Sequence, residues 1–114
     1  TGASWEAYSP GGAWVGLGPD ADMVEARRKL VGLMERPAFT GIKAVENGQI
    51  HAVWHQFYNS PYQFVVIEKM AKWFHPDLFA DLDAEATFKE LHDRFLPLDY
   101  QPGYFISVTD SATN

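Results

Sequence analysis

Three stripes of apolar residues at helical spacing, separated by short runs rich in β-branched and aromatic side chains, set the narrowest limit on how this chain can fold. Met23, Ala26, Leu30 and Leu33 form the first stripe, Phe64, Ile67, Ala71 and Phe74 the second, and Ala84, Phe88, Leu91 and Phe95 the third. Each has its own punctuation. Asp20, Ser60-Pro61 and Asp83 supply starts, and Pro37, His75-Pro76 and Pro97 supply stops. The spacing predicts helices over about 20–35, 60–74 and 83–96, with a short helical turn through Phe39 and Ile42. Strands are expected at Trp14–Leu17, after the Asn47-Gly48 turn as far as about His55, and at Tyr104–Val108. Strands that alternate with helices predict an α/β fold, a mostly parallel sheet flanked by helices. About three strands make a small sheet, so further strands are expected upstream of Thr1.

Composition narrows the function classes. The chain has 114 residues, enough for one domain and one core. Hydrophobic residues make up 46% and aromatics 15%, which argues against disorder. The net charge of −6 repels phosphate backbones, so nucleic acid is not an expected partner. No apolar run approaches the ~20 residues that span a bilayer. The chain has no cysteine, so disulfides and thiolate sites are excluded. No signal peptide is visible. The chain opens at Thr1 without a Met and goes straight into a Gly-containing turn, which reads as the middle of a longer chain or a trimmed piece of one.

The residues most suited to chemistry lie between a strand and a helix. His55-Gln56-Phe57-Tyr58-Asn59-Ser60-Pro61 joins the expected second strand to the second helix. In open α/β sheets that edge is where ligands bind. The amides of a helix start favour anionic groups. An imidazole, a phenol, two carboxamides and a hydroxyl suit a large ligand that offers both ring faces and oxygens. The bland roles fall to Ser60 as a cap and Phe57 as a core plug. The opening loop has similar character, and Trp5 in it could stack on a planar ligand. His51 and His55 are four apart, but on a strand that places them roughly 13 Å apart at ~3.3 Å per residue, too far for one metal ion. A Ser–His–acid hydrolase is disfavoured because Ser60 precedes a proline and no G-x-S-x-G elbow is present. No phosphate loop or dinucleotide fingerprint occurs. Arg27-Arg28-Lys29 and Glu85-Lys89-Glu90 read as solvated helix surface, and Glu25–Lys29 and Glu68–Lys72 as surface pairs.

Several of these segments also carry a family resemblance. Arg36-Pro37-Ala38-Phe39, followed by Ile42-Lys43-Ala44-Val45-Glu46-Asn47-Gly48-Gln49-Ile50-His51, resembles a signature of the C-terminal lobe of iron-complex and cobalamin substrate-binding proteins of ABC importers. His55 to Pro61 resembles the H-x-F-Y-N-S-P loop of one branch of that family. Lys72-Trp73-Phe74-His75-Pro76-Asp77-Leu78-Phe79 resembles its continuation, and Gly103 to Val108 its terminal strand. The pieces occur in consistent order over residues 14–108.

The resemblance implies a three-layer lobe from a two-lobed protein joined by a rigid helical linker. Residues 1–114 would be a C-terminal lobe fragment, with the upstream lobe and linker helix lying before Thr1. Ligand would be held by Trp5, His55, Gln56 and Tyr58. The cargo implied is an iron–siderophore, haem or cobalamin-type complex that keeps its own chelator, so no protein metal ligand and no cofactor is expected. The implied partner is the membrane permease, and the implied location is periplasmic, or extracellular with a lipid anchor. An isolated fragment is expected to self-associate through an open sheet edge. The rival readings are a chelatase-like enzyme and a stand-alone α/β interaction domain.

Overall fold

The computed structural model describes residues 14–110. In chain order it contains helix α1 (Met23–Met34), a 3₁₀ turn (Pro37–Phe39), the short helix α2 (Lys43–Glu46), strand β1 (His51–Val53), a 3₁₀ helix (His55–Asn59), helices α3 (Gln63–Phe74) and α4 (Ala84–Phe95), and strand β2 (Phe105–Ser107). These divide into two compact units. One takes the described residues as far as Trp54 and again from Gly103; the other is His55–Pro102.

In the first unit, α1 starts two residues later than Asp20 predicts. Asp20 sits in the left-handed region at φ 57°. The Ala21 amide donates to Gly18 O at 3.2 Å across that turn. Asp22 becomes the cap, its Oδ1 accepting from the Glu25 amide at 3.0 Å. The apolar stripe then faces inward as its period requires. Ala26 and Leu30 are buried with Ile106, and Val15, Leu17, Met23, Ile50, Ala52 and Val108 pack around them.

The basic cluster is not plain solvated surface. Arg27 donates from Nε to Asp110 O at 2.7 Å and from Nη2 to Val108 O at 2.9 Å, tying the chain after β2 to α1. Lys29 is buried. Glu25 lies 4.0 Å from Lys29, while Arg28 grips both its oxygens at 2.7 Å. The Arg28 hydrogen bonds hold the Glu25 carboxyl below its usual range.

The sheet among the described residues has two strands, and they are antiparallel, with His51 opposite Ser107, Ala52 opposite Ile106 and Val53 opposite Phe105. The expected parallel pairing is not formed between them. The intervening segment leaves at Val53 and re-enters at Phe105, at one and the same end of the ladder, and only antiparallel strands can be joined that way. The Trp54 amide donates to Tyr104 O at 2.8 Å and closes this end. The Trp54 and Tyr104 rings meet edge to face at 5.4 Å. Burial pushes the Tyr104 phenol above its usual value.

Residues 14–17, expected as a strand, form no ladder, although Val15 and Leu17 reach the core. Their continuation is pinned by the Gly18 amide donating to Gly103 O at 2.8 Å. Gly103 has φ 125°, and a Cβ there would sit 2.3 Å from Gly18 O. Close approach of two backbones and a left-handed φ both demand glycine at this point.

The second unit packs α3 against α4. Asp83 caps α4 as expected, its Oδ1 accepting from the amides of Glu85 at 3.1 Å and Ala86 at 3.0 Å. Ala84 and Phe88 are buried as their stripe predicts, but Phe95 lies at the helix end, exposed. Lys89–Asp93 and Glu90–Arg94 pair along the outer face. Phe88 is the hub: its ring lies 5.5 Å from Phe57, 5.5 Å from Tyr62, 4.8 Å from His92 and 5.9 Å from Tyr100.

Helix α3 is turned the opposite way from its predicted orientation. Val65 is fully buried, whereas Phe64, Ile67 and Phe74 of the expected stripe are exposed, Ile67 at 66% and Phe74 at 64%. The charges expected outside are engaged inside the unit. Lys69 pairs with Glu85 at 3.0 Å. Lys72 donates to Ala80 O at 3.1 Å and Leu82 O at 2.8 Å, closing the loop before α4. Glu68 Oε2 is shut off from solvent with no hydrogen-bond partner among the described residues. Two loop carbonyls that need donors lie on this side of α3, and the Lys72 amine reaches them where an apolar side chain could not.

Candidate functional site

Residues 55–59 were expected to be the end of a strand and a loop. They form a 3₁₀ helix instead, and that difference builds the site. A 3₁₀ helix has three residues per turn, so side chains at i and i+3 lie one above the other. His55 and Tyr58 are such a pair. Their ring centroids lie 4.7 Å apart with the planes tilted by 36°, and both are exposed.

Phe57 faces the other way. It is 2% exposed and meets Phe88, which anchors the turn in the core of its unit. Gln56 and Asn59 are exposed with the ring pair. The alternation thus sorts one anchor from four presented side chains: an imidazole, a phenol and two carboxamides.

The turn is held at its C-terminal end. Gln63 donates from Nε2 to Tyr58 O at 2.6 Å. The Ser60 amide donates to Phe57 O at 3.3 Å. The Ser60 hydroxyl accepts from the Tyr62 amide at 3.1 Å, so it caps a turn ahead of α3, and the helix proper starts at Gln63. The role of Gln63 escaped the sequence reading. Its signal was a carboxamide on the first turn of the helix that follows an exposed aromatic loop.

Of the four predicted ligand residues, His55, Gln56 and Tyr58 are brought together on this turn. Trp5 lies outside the described residues. His51 sits in β1 in the other unit, where its Nδ1 and the Ser107 Oγ share a hydrogen bond at 2.6 Å. The Ser107 amide donates to Asp110 Oδ2 at 2.8 Å. Ser107 is buried, so this linkage fixes the strand pair and the turn after it.

Chemically, the 3₁₀ turn offers two adjoining, mutually tilted ring faces beside hydrogen-bonding carboxamides. Such a surface holds a planar or ring-bearing ligand by its faces and fixes orientation through its oxygens.

No family model matches the chain, and no curated protein matches it. Among solved structures it matches the TroA-like periplasmic binding protein FepB from Veillonella parvula. The TM-score is 0.78 and the sequence identity 34%, over 85% of this chain. The chain resembles a segment of a TroA-like periplasmic binding protein. The family its motifs resemble is therefore the one its fold matches. The chain spans 28% of the length of that relative. The relative is named as a periplasmic binding protein.

Proposed function

We propose that this chain is part of the C-terminal lobe of a solute-binding protein that captures an iron–siderophore or related metal-chelate complex for an ABC importer. The observation that carries the reading is the exposed His55–Tyr58 ring pair, set on the buried Phe57 anchor in a chain 34% identical to a periplasmic binding protein. In this reading the lobe is three-layered, with a mostly parallel sheet completed by strands outside this segment. The cargo is held in a cleft between lobes, and its metal keeps its own chelator.

The action is capture without turnover. Tyr58 and His55 lie against the rings or arms of the chelate, and Gln56 hydrogen-bonds to its oxygens. Trp5 is proposed as a further stacking residue. The membrane permease receives the cargo, and the protein works in the periplasm or, lipid-anchored, outside the cell.

Tryptophan fluorescence, titrated with ferric siderophores, haemin and cobalamin in turn, tests this. Saturable quenching by one class, weakened at least tenfold by Y58A and by H55A, supports the reading and names the cargo. A folded protein that responds to none of them overturns it in favour of a chelatase-like enzyme or an interaction domain.

A further inference from the structure

Most of the chain's negative charge sits on the unit that carries the candidate turn. Residues 55–102 hold eight carboxylates against four lysine and arginine side chains, which is −4 of the chain's −6. Each of the four cations is engaged within that unit. Lys69 pairs with Glu85 at 3.0 Å and lies over the Trp73 ring. Lys72 donates to the Ala80 and Leu82 carbonyls. Lys89 pairs with Asp93, and Arg94 pairs with Glu90 at 2.6 Å. Asp77, Asp81 and Asp99 are exposed. The turn itself presents His55, Gln56, Tyr58 and Asn59, whose side chains carry no fixed charge.

Two rings and two carboxamides can meet a chelate by its faces and by hydrogen bonds, but they cannot neutralise it. A metal complex brought to this turn keeps whatever charge it carries. A negative one meets the summed field of a unit of like sign. From this we infer that the turn selects an uncharged metal chelate, of the ferric trihydroxamate type, and discriminates against a polyanionic one, of the ferric tricatecholate type. The inference rests on the capture reading above and narrows its cargo.

The size of the effect follows from the charges and the distance. A compact unit of this length has a radius of gyration of about 10 Å, so a chelate at its surface lies roughly 15 Å from its centre. A triply negative chelate at that distance from a net charge of −4 is disfavoured roughly thirtyfold at about 0.01 M salt, where the screening length is ~30 Å. At about 0.15 M the screening length is ~8 Å, and the disadvantage falls to about twofold. A neutral chelate feels neither.

Equilibrium dialysis of the folded protein against a radiolabelled neutral ferric trihydroxamate and a triply negative ferric tricatecholate, at low and at physiological salt, tests this. The trihydroxamate should bind at least tenfold more tightly than the tricatecholate at low salt, with an affinity that salt leaves within twofold. The tricatecholate should bind more tightly as salt is added. N59K, which sets a cation on the turn, should shift the ratio of the two affinities several-fold toward the tricatecholate, and N59Q should leave that ratio where it was. A tricatecholate that binds at low salt as tightly as the trihydroxamate, or that weakens as salt is added, overturns the inference and leaves the capture reading standing. So does an N59K ratio equal to the parent's. Failure of both chelates to bind the folded protein overturns the capture reading and the inference with it.

Discussion

Helices α1 and α3 have the same length and the same apolar period, yet they spend it in opposite directions. In α1 the stripe of Ala26 and Leu30 is inside, and the inward-facing cations are few. In α3 the stripe of Phe64, Ile67 and Phe74 is outside, and the helix rests on Val65 and on Lys72, which satisfies two loop carbonyls. Periodicity states which residues share a face. It does not state what that face will meet. For α1 the answer is supplied locally, because β2 runs beside it with Ile106 available for packing. For α3 the local neighbours are α4 and a loop with unmet carbonyls, and these attract the polar side.

The contrast can be broken or sharpened by substitution. The largest effect is expected from L30A, which empties part of a closed core and should cost about 2–5 kcal/mol in denaturant-measured stability. G103A should follow, at about 1–3 kcal/mol for the strained φ with the clash against Gly18 O in addition, read as a lowered melting temperature. D83A removes the cap of α4 and should cost about 1 kcal/mol, seen by chemical denaturation. I67A, at the α3 position that would match a core residue by period, should change stability by no more than about 0.5 kcal/mol at dilute concentration. Equal costs for L30A and I67A would mean that α3 is buried in solution even in the monomer, and the contrast between the helices would fail.

Much of the fold was legible where a local signal decides it. Asp83 names its own helix start, because a carboxylate can reach the amides of Glu85 and Ala86 without help from elsewhere. The last strand was readable from its β-branched and aromatic residues. Asp20 misled because its neighbour Gly18-Pro19 makes a turn that consumes it, leaving Asp22 to cap.

The site was half legible. His55, Gln56 and Tyr58 could be picked out as polar and aromatic groups between two elements, but the run from Gln49 to Tyr58 has the composition of one long strand. What ends the strand is remote in sequence: Tyr104 O takes the Trp54 amide, and Gly103, next in register, gives its carbonyl to the Gly18 amide. The chain tightens into a 3₁₀ turn there, and that turn brings the His55 and Tyr58 rings together. Strand direction was hidden for a related reason. Alternation of strands and helices favours parallel pairing on average, and nothing local reports that a long excursion returns to the rung it left.

That return has a consequence for how such a protein can change. Residues 55–102 depart and come back at a single rung, closed by Trp54 and Tyr104. A graft of different length or sequence within residues 55–102 is expected to keep the register of His51 with Ser107, because the ladder and Gly103 are left as they are. The ladder works as a socket, and residues 55–102, with the candidate turn and the helices that support it, are the part that can be exchanged.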